Sequence, residues 1–286
     1  MIKSSRTLST PPGIVQQFTK AIFFIVIIVI VAGLFFYRTP HHKTRYGVWI
    51  GLHPDDIASL EPYDTVVIDA SYFSKEQIEL LHQQGKTVYS YLNIGSLENF
   101  RPYFAEFQDI TLGAYENWEE EYWIDVSDKE WQDHLTQVLA KNLVDKGVDG
   151  FFLDNADVWY FYPEEKIYTG LADILQQLKQ EYKLPIIING GDTFVSTLID
   201  SDKTDLIDGI NQETVFTSID FEHKTFGKQE PEQTKYLWDY LMKCQKAGLS
   251  VYLLEYGEDK LLQKKIQNEC EQSGFEYYIS PSLELK

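Results

Sequence analysis

From Tyr46 onward, eight short apolar runs alternate with longer segments whose apolar residues recur at helical spacing. That alternation is the pattern of repeated βα units over a parallel sheet. The runs are Tyr46–Ile50, Thr65–Asp69, Thr87–Leu92, Gly150–Asp154, Pro185–Asn189, Gly209–Gln212, Ser250–Glu255 and Phe275–Ser280. Ser74 with Gln77 and Ser127 with Glu130 have capping-box spacing, and Pro231 suits a first helical turn. Gly85, Gly147, Gly248 and Gly274 stand where helices should stop. Eight strands with intervening helices predict an α/β fold, a (β/α)8 TIM barrel, rather than an open sheet with a glycine-rich phosphate turn after its first strand. No linker divides residues 46–286, so they are expected to form one domain. The longest gap, Asn93 to Val126, is of the kind that usually carries function.

The segment before Tyr46 reads differently. Residues 1–45 hold six bases and no acid, and Ala21–Tyr37 is an uncharged run of seventeen residues. At about 1.5 Å per residue such a helix just reaches across the hydrocarbon layer. We expect a basic segment over 1–20, a transmembrane signal anchor over 21–37 that is retained rather than cleaved, and a linker over 38–45. Bases flank the run on both sides, so the positive-inside rule does not orient it. A large domain after an N-terminal anchor is expected outside the cell, giving a single-pass membrane protein. Cys244 and Cys270 fall in helical patterns, where buried thiols are usual, although a bridge between neighbouring helices stays open.

The chain carries −19 formal charge, and residues 46–286 carry −25 once the basic segment is set aside. That balance argues against nucleic acid as a partner. In barrels of this kind chemistry sits at the carboxyl ends of the strands. Those positions hold Trp49, Asp69, Tyr91, Asn93, Asp154, Asn155, Asn189, Glu213 and Glu255. Carboxylates gathered there suit glycoside hydrolysis, or catalysis by an oxygen-ligated metal ion. The six histidines are scattered without ligand spacing, so no metal or cofactor is expected. GxSxG, P-loop and GxGxxG motifs are absent. Trp118, Tyr122, Trp123 and Trp159–Tyr162 supply rings on which sugar faces stack, and these favour carbohydrate.

Four segments carry a resemblance: Tyr91-Leu-Asn-Ile-Gly-Ser-Leu-Glu-Asn-Phe-Arg101, Trp123-Ile-Asp-Val, Gly150-Phe-Phe-Leu-Asp-Asn155 with Asp157, and Asn211-Gln-Glu213. Together they resemble the endo-α-1,4-polygalactosaminidase family, glycoside hydrolase family 114. The resemblance implies a barrel that cleaves galactosamine-rich polysaccharide, with relatives acting on cationic biofilm exopolysaccharide. It places the catalytic acids at Asp154 and Glu213, and we expect Asp154 to serve as nucleophile and Glu213 as general acid/base. Substrate contacts are then expected from Trp49, Asp69, Tyr91, Asn93, Glu98, Arg101, Asn155, Trp159, Asn189, Glu255 and Tyr256. The family often reads Asn-Glu-Gln at Asn211-Gln212-Glu213, so the second acid could be displaced by one. It often has a lysine and an acid where this chain has Asn189-Gly-Gly-Asp192, which leaves substrate preference open. A catalytically silent sugar-binding barrel and a metal-dependent carbohydrate esterase are the alternative functions.

Overall fold

The computed structural model describes residues 45–116 and 118–286. The expected anchor, Ala21–Tyr37, lies outside them. Among the described residues no helix is long and apolar enough to cross a membrane.

Eight parallel strands follow one another around a barrel in sequence order: β1 (Tyr46–Trp49), β2 (Thr65–Ile68), β3 (Thr87–Asn93), β4 (Gly150–Asp154), β5 (Ile186–Asn189), β6 (Gly209–Glu213), β7 (Ser250–Tyr256) and β8 (Glu276–Ser280). Each expected run forms its strand, with ends shifted by at most a residue. The barrel is nearly closed: β1 and β8 lie side by side, but no hydrogen-bonded ladder joins them. Rings occupy that seam instead. Trp49 and Tyr278 are 5.5 Å apart, and Tyr63 packs on both at 5.5 and 5.7 Å. Beyond the rings, the Gly51 N–H donates to Leu285 O at 3.1 Å.

Strand periodicity sorts the side chains. Alternate residues point inward, so Val48, Val67, Tyr91, Phe152, Ile187 and Leu254 fill the barrel centre. Residues of the opposite parity, such as Val66, Ile68, Phe151, Leu153, Ile186 and Ile188, join the larger core beneath the helices. The next inward residue after each central apolar one stands at the carboxyl rim: Asn93 after Tyr91, Asp154 after Phe152, Asn189 after Ile187, Tyr256 after Leu254.

Helices cover the outside, among them Lys75–Gln83, Glu165–Tyr182, Pro231–Lys246 and Lys260–Ser273. After β1 there is only a 3-10 helix, Pro54–Leu60. The Ser74–Gln77 capping box forms, and Pro231 opens its helix. The second expected cap shifts by one: Asp128 accepts from Trp131 N at 2.9 Å, while Ser127 Oγ donates to Asp125 at 2.6 Å. The nearby acid drew the serine hydroxyl away from the helix end. Cys244 and Cys270 are buried and form no disulfide with each other.

Two insertions rise from the rim. The long gap after β3 folds into a three-stranded antiparallel sheet of Ser96–Glu98, Thr111–Ala114 and Glu121–Ile124. A hairpin, Thr217–Asp220 with Thr225–Lys228, follows β6. The first insertion presses closely on the β4 turn, since a Cβ on Gly95 would lie 1.8 Å from Asn155 O. Both sides of that contact are backbone, so neither can rotate away. Gly95→Ala is expected to destabilise the domain by about 1–3 kcal/mol, the usual cost of overpacking, and to displace Asn155; thermal melting against the parent checks it.

Candidate active site

At the rim, Asp154 on β4 and Glu213 on β6 are joined by the amide of Asn189, on the strand between them. Asn189 Nδ2 donates to Asp154 Oδ1 and to Glu213 Oε1, each at 2.9 Å. The two acceptor oxygens are therefore within about 5.8 Å of each other, twice that bond length. The donor is itself held in orientation. Asn211 Nδ2 donates to Asn189 Oδ1 at 2.7 Å, and Tyr46 OH donates to Asn211 Oδ1 at 3.1 Å. Because Asn211 faces inward on β6, period-two alternation turns Glu213 inward as well and Gln212 outward. The second acid at the rim is thus residue 213.

The surroundings of the two acids differ. Asp154 Oδ1 also accepts the Asn155 N–H at 3.0 Å, so both of its partners are obligate donors. Glu213 Oε2 is met by Tyr256 OH at 2.6 Å, and a phenol can either donate or accept. Burial and then the Glu213 charge push the Asp154 carboxyl well above the usual carboxylate range, with the Asn189 hydrogen bond acting in the opposite direction. Burial likewise raises Asp157 to about 6. Asp157 Oδ2 accepts the Gly191 N–H at 3.0 Å and so secures the turn that follows Asn189. Gly190 and Gly191 both have positive φ there, of 66° and 64°.

Asn155 and Asn93 join a second group centred on Glu121, from the inserted sheet. Glu121 Oε1 accepts from Asn93 Nδ2 at 2.9 Å, from Asn155 Nδ2 at 2.8 Å and from Ser96 Oγ. Tyr115 OH donates to Asn155 Oδ1 at 3.1 Å. Glu121, Ser96 and Tyr115 were absent from the sequence expectations. A third cluster lies beside Tyr91: Arg101 pairs with Asp69 at 3.0 Å and with Glu98, and burial raises Glu98 despite that pairing. Asp69, Tyr91 and Arg101 line a cleft of about 430 Å³ with Asn93, Tyr103 and His134.

Three expected contacts are placed elsewhere. Glu255 is 0% exposed. Its carboxylate accepts from Phe216 N and Thr217 N, both at 2.9 Å, and from Thr217 Oγ1 at 2.5 Å. It anchors the root of the hairpin, with burial raising it to about 7. Trp49 packs at the barrel seam, and Trp159 packs on Tyr168 with ring centroids 5.3 Å apart. All three have the outward parity or helix-facing position that removes a side chain from the barrel mouth. Above the rim, exposed Trp118 of the inserted sheet meets exposed Phe221 of the hairpin turn at 6.2 Å. Among the described residues no group of three His, Cys, Asp or Glu side chains is arranged to hold a metal ion.

A parallel barrel with two carboxylates facing each other at its carboxyl rim has the architecture of a barrel-type glycoside hydrolase. The chain belongs to glycoside-hydrolase family GH114, whose sequence profile matches residues 37–283. It is a glycoside hydrolase. Its fold is similar to the glycoside hydrolase domain of PelA from Pseudomonas aeruginosa, with a TM-score of 0.73 and 19% identity over 84% of this chain and 95% of that one. It is similar also to Ega3 of Aspergillus fumigatus, solved in complex with galactosamine: TM-score 0.64 and 18% identity over 86% and 94% of the two chains. An uncharacterized protein of Thermotoga maritima is 23% identical over 228 residues, 72% of this chain and 68% of its own.

The raised carboxyls have a consequence for stability. A carboxyl whose folded pKa exceeds its unfolded value adds stability below the unfolded pKa, near 4, and that stability is lost as pH rises through the folded value. For Asp157 the loss sets in near pH 4 and is complete once pH has passed about 6. The melting temperature is expected to fall more between pH 5 and 8 in the parent than in Asp157→Asn, which cannot ionise; parallel melts at both pH values check this.

Proposed function

We propose that this protein is an extracellular, membrane-anchored endo-glycosidase that hydrolyses galactosamine-rich, cationic polysaccharide, such as an exopolysaccharide of a biofilm matrix. The observation that carries the reading is the pair Asp154 and Glu213 held by one amide within about 5.8 Å. Carboxyl groups about 5–5.5 Å apart serve double displacement with retention, whereas inversion leaves room for water at about 6.5–9.5 Å. The galactosamine bound to Ega3 and membership of GH114 support the substrate class. The apolar run Ala21–Tyr37 supports the anchor.

Asp154 is the nucleophile. Its two partners both donate to Oδ1 and so favour the carboxylate, against the burial and the Glu213 charge that raise its pKa, and Oδ2 has no hydrogen-bond partner among the described residues. Oδ2 attacks the anomeric carbon while Glu213 gives its proton to the departing glycosidic oxygen. Glu213 then takes a proton from water, which releases the sugar from Asp154 with its configuration unchanged. Tyr256 fits both stages, since its hydroxyl accepts from protonated Glu213 and donates to the carboxylate. Asn189 keeps the two groups at working separation through both steps.

Incubation of the protein with galactosamine-containing and glucosamine-containing polymers, followed by product analysis, tests the reading. Shortened galactosamine oligomers that first appear with the anomeric configuration of the substrate are expected. Asp154→Asn and Glu213→Gln should each lower turnover by about 10³-fold or more with the fold intact; near-parental rates in both would reject the pair. Location is tested by cell fractionation with external protease, where recovery of the full chain from the cytosolic fraction would remove the anchor.

Substrate charge gives a separate test. A domain of −25 focuses negative potential at its rim and attracts protonated amino sugars. Deacetylated polymer is therefore expected to be cleaved faster than acetylated polymer, with the advantage shrinking as salt shortens the field to about 8 Å at physiological strength. Equal, salt-independent rates would leave a glycosidase without preference for cationic substrate.

A further inference from the structure

The residue after the proposed nucleophile has an unusual backbone. Asn155 lies at φ 68°, in the left-handed region that, after glycine, asparagine and aspartate enter most readily. Its N–H nevertheless has a function, since it donates to Asp154 Oδ1 at 3.0 Å. The left-handed turn thus helps to set where the Asp154 carboxylate stands, and something must hold the turn in place.

Glu121 is placed to do so. It reaches the site from the inserted sheet, on a strand paired with both Ser96–Glu98 and Thr111–Ala114. Its Oε1 gathers Asn155 Nδ2, Asn93 Nδ2 and Ser96 Oγ, and Asn155 Nδ2 also reaches Ser96 Oγ at 2.8 Å. With Tyr115 OH on Asn155 Oδ1, both polar ends of the Asn155 amide are fixed by the insertion. Three donors on one oxygen leave Glu121 Oε2 without a hydrogen-bond partner among the described residues. Hydrogen bonds to a carboxylate are stronger than those to a neutral acceptor, so three of them on one oxygen fix the groups that donate them.

We propose that Glu121 is a positioning residue for Asp154: through Asn155 it fixes the turn that carries the carboxylate, and it sets a third negative charge beside the catalytic pair. The inference rests on Asp154 being the reacting carboxylate. Around Asp154 stand Glu213 on β6, Glu121 in the insertion, Asp157 three residues on, and the phenols Tyr91 on β3, Tyr115 in the insertion and Tyr256 on β7. Glu98 faces Glu121 across the paired strands, but its charge is taken up by Arg101. Both Glu213 and Glu121 push the Asp154 carboxyl upward. Glu121 therefore does two things that separate on mutation, one by geometry and one by charge.

Two substitutions in the full-length protein distinguish them. Glu121→Ala removes the acceptor and frees Asn155, and turnover of a partly deacetylated galactosamine polymer is expected to fall by about 100-fold, the cost of a small misplacement. Glu121→Gln keeps an acceptor oxygen and removes the charge, so turnover should recover to within about tenfold of the parent. Its charge effect is read from pH. With one negative charge fewer, Asp154 ionises more readily, and the acid limb of kcat/KM should move down by about half a unit or more. Carboxyl-carbon NMR titration reads the same shift without turnover, the Asp154 signal being assigned by its loss in Asp154→Asn. A Glu121→Ala protein with parental turnover, or a Glu121→Gln protein whose Asp154 titrates as in the parent, overturns the proposal. Should the parent cleave no polymer while Glu121→Gln still lowers the Asp154 titration, the functional reading fails and the coupling of the two carboxylates stands.

Discussion

Two carboxylates close together in a poorly solvated place repel, and each costs solvation energy to bury. Here a single side-chain amide offsets both costs by giving one N–H to each acid. The amide works only in one orientation, and Asn211 and Tyr46 supply it from inside the barrel. The chain from Tyr46 to Asn211 to Asn189 turns each amide the same way, with its positive end toward the acids. The neighbouring features serve that arrangement: Asp157 ties down the paired glycines after Asn189, and Tyr256 completes the shell of Glu213.

Charge is distributed unevenly around the rim. On the β2 and β3 side, Arg101 is bonded to Asp69 and Glu98, and these two acids are largely neutralised. On the β4 to β6 side, Asp154, Glu213 and Glu121 are surrounded by amides and hydroxyls, with no lysine or arginine among the partners described above. Acids without a lysine or arginine partner thus stand where the reaction is proposed to occur.

The barrel strands were legible because each carries its own evidence, a short apolar run that in most cases ends at a polar residue. Side-chain parity was just as legible for individual positions. Tyr252, Leu254 and Tyr256 share one face of β7, so Glu255 had to point the other way, and the same reasoning removes Trp49 from a face shared by Tyr46 and Val48. Reading the end of each strand without its parity put those two residues in the site. Glu121 was hidden for another reason. It is one of four acids between Glu116 and Glu121, a stretch that reads as a solvated loop. Which acid turns inward depends on antiparallel pairing within the insertion, of Glu121 with Glu98 and of Tyr122 with Ala114, a nonlocal fact without a periodic signal. The left-handed Asn155 is similar, since its conformation comes from partners 34 and 40 residues away.

The seam between β1 and β8 bears on how the domain is made. A ribosome releases the chain from its amino end at about 5–20 residues per second, so β1 to β7 emerge and can pair in order while the last strand is still inside. The aromatic contact of Trp49 and Tyr63 with Tyr278 joins the first strand to the last, and Leu285 reaches back to Gly51. During synthesis the barrel is therefore an open sheet with two unpaired edges, and its interior becomes enclosed only after residues beyond 275 arrive. The nascent chain is most exposed to edge-to-edge association in that interval.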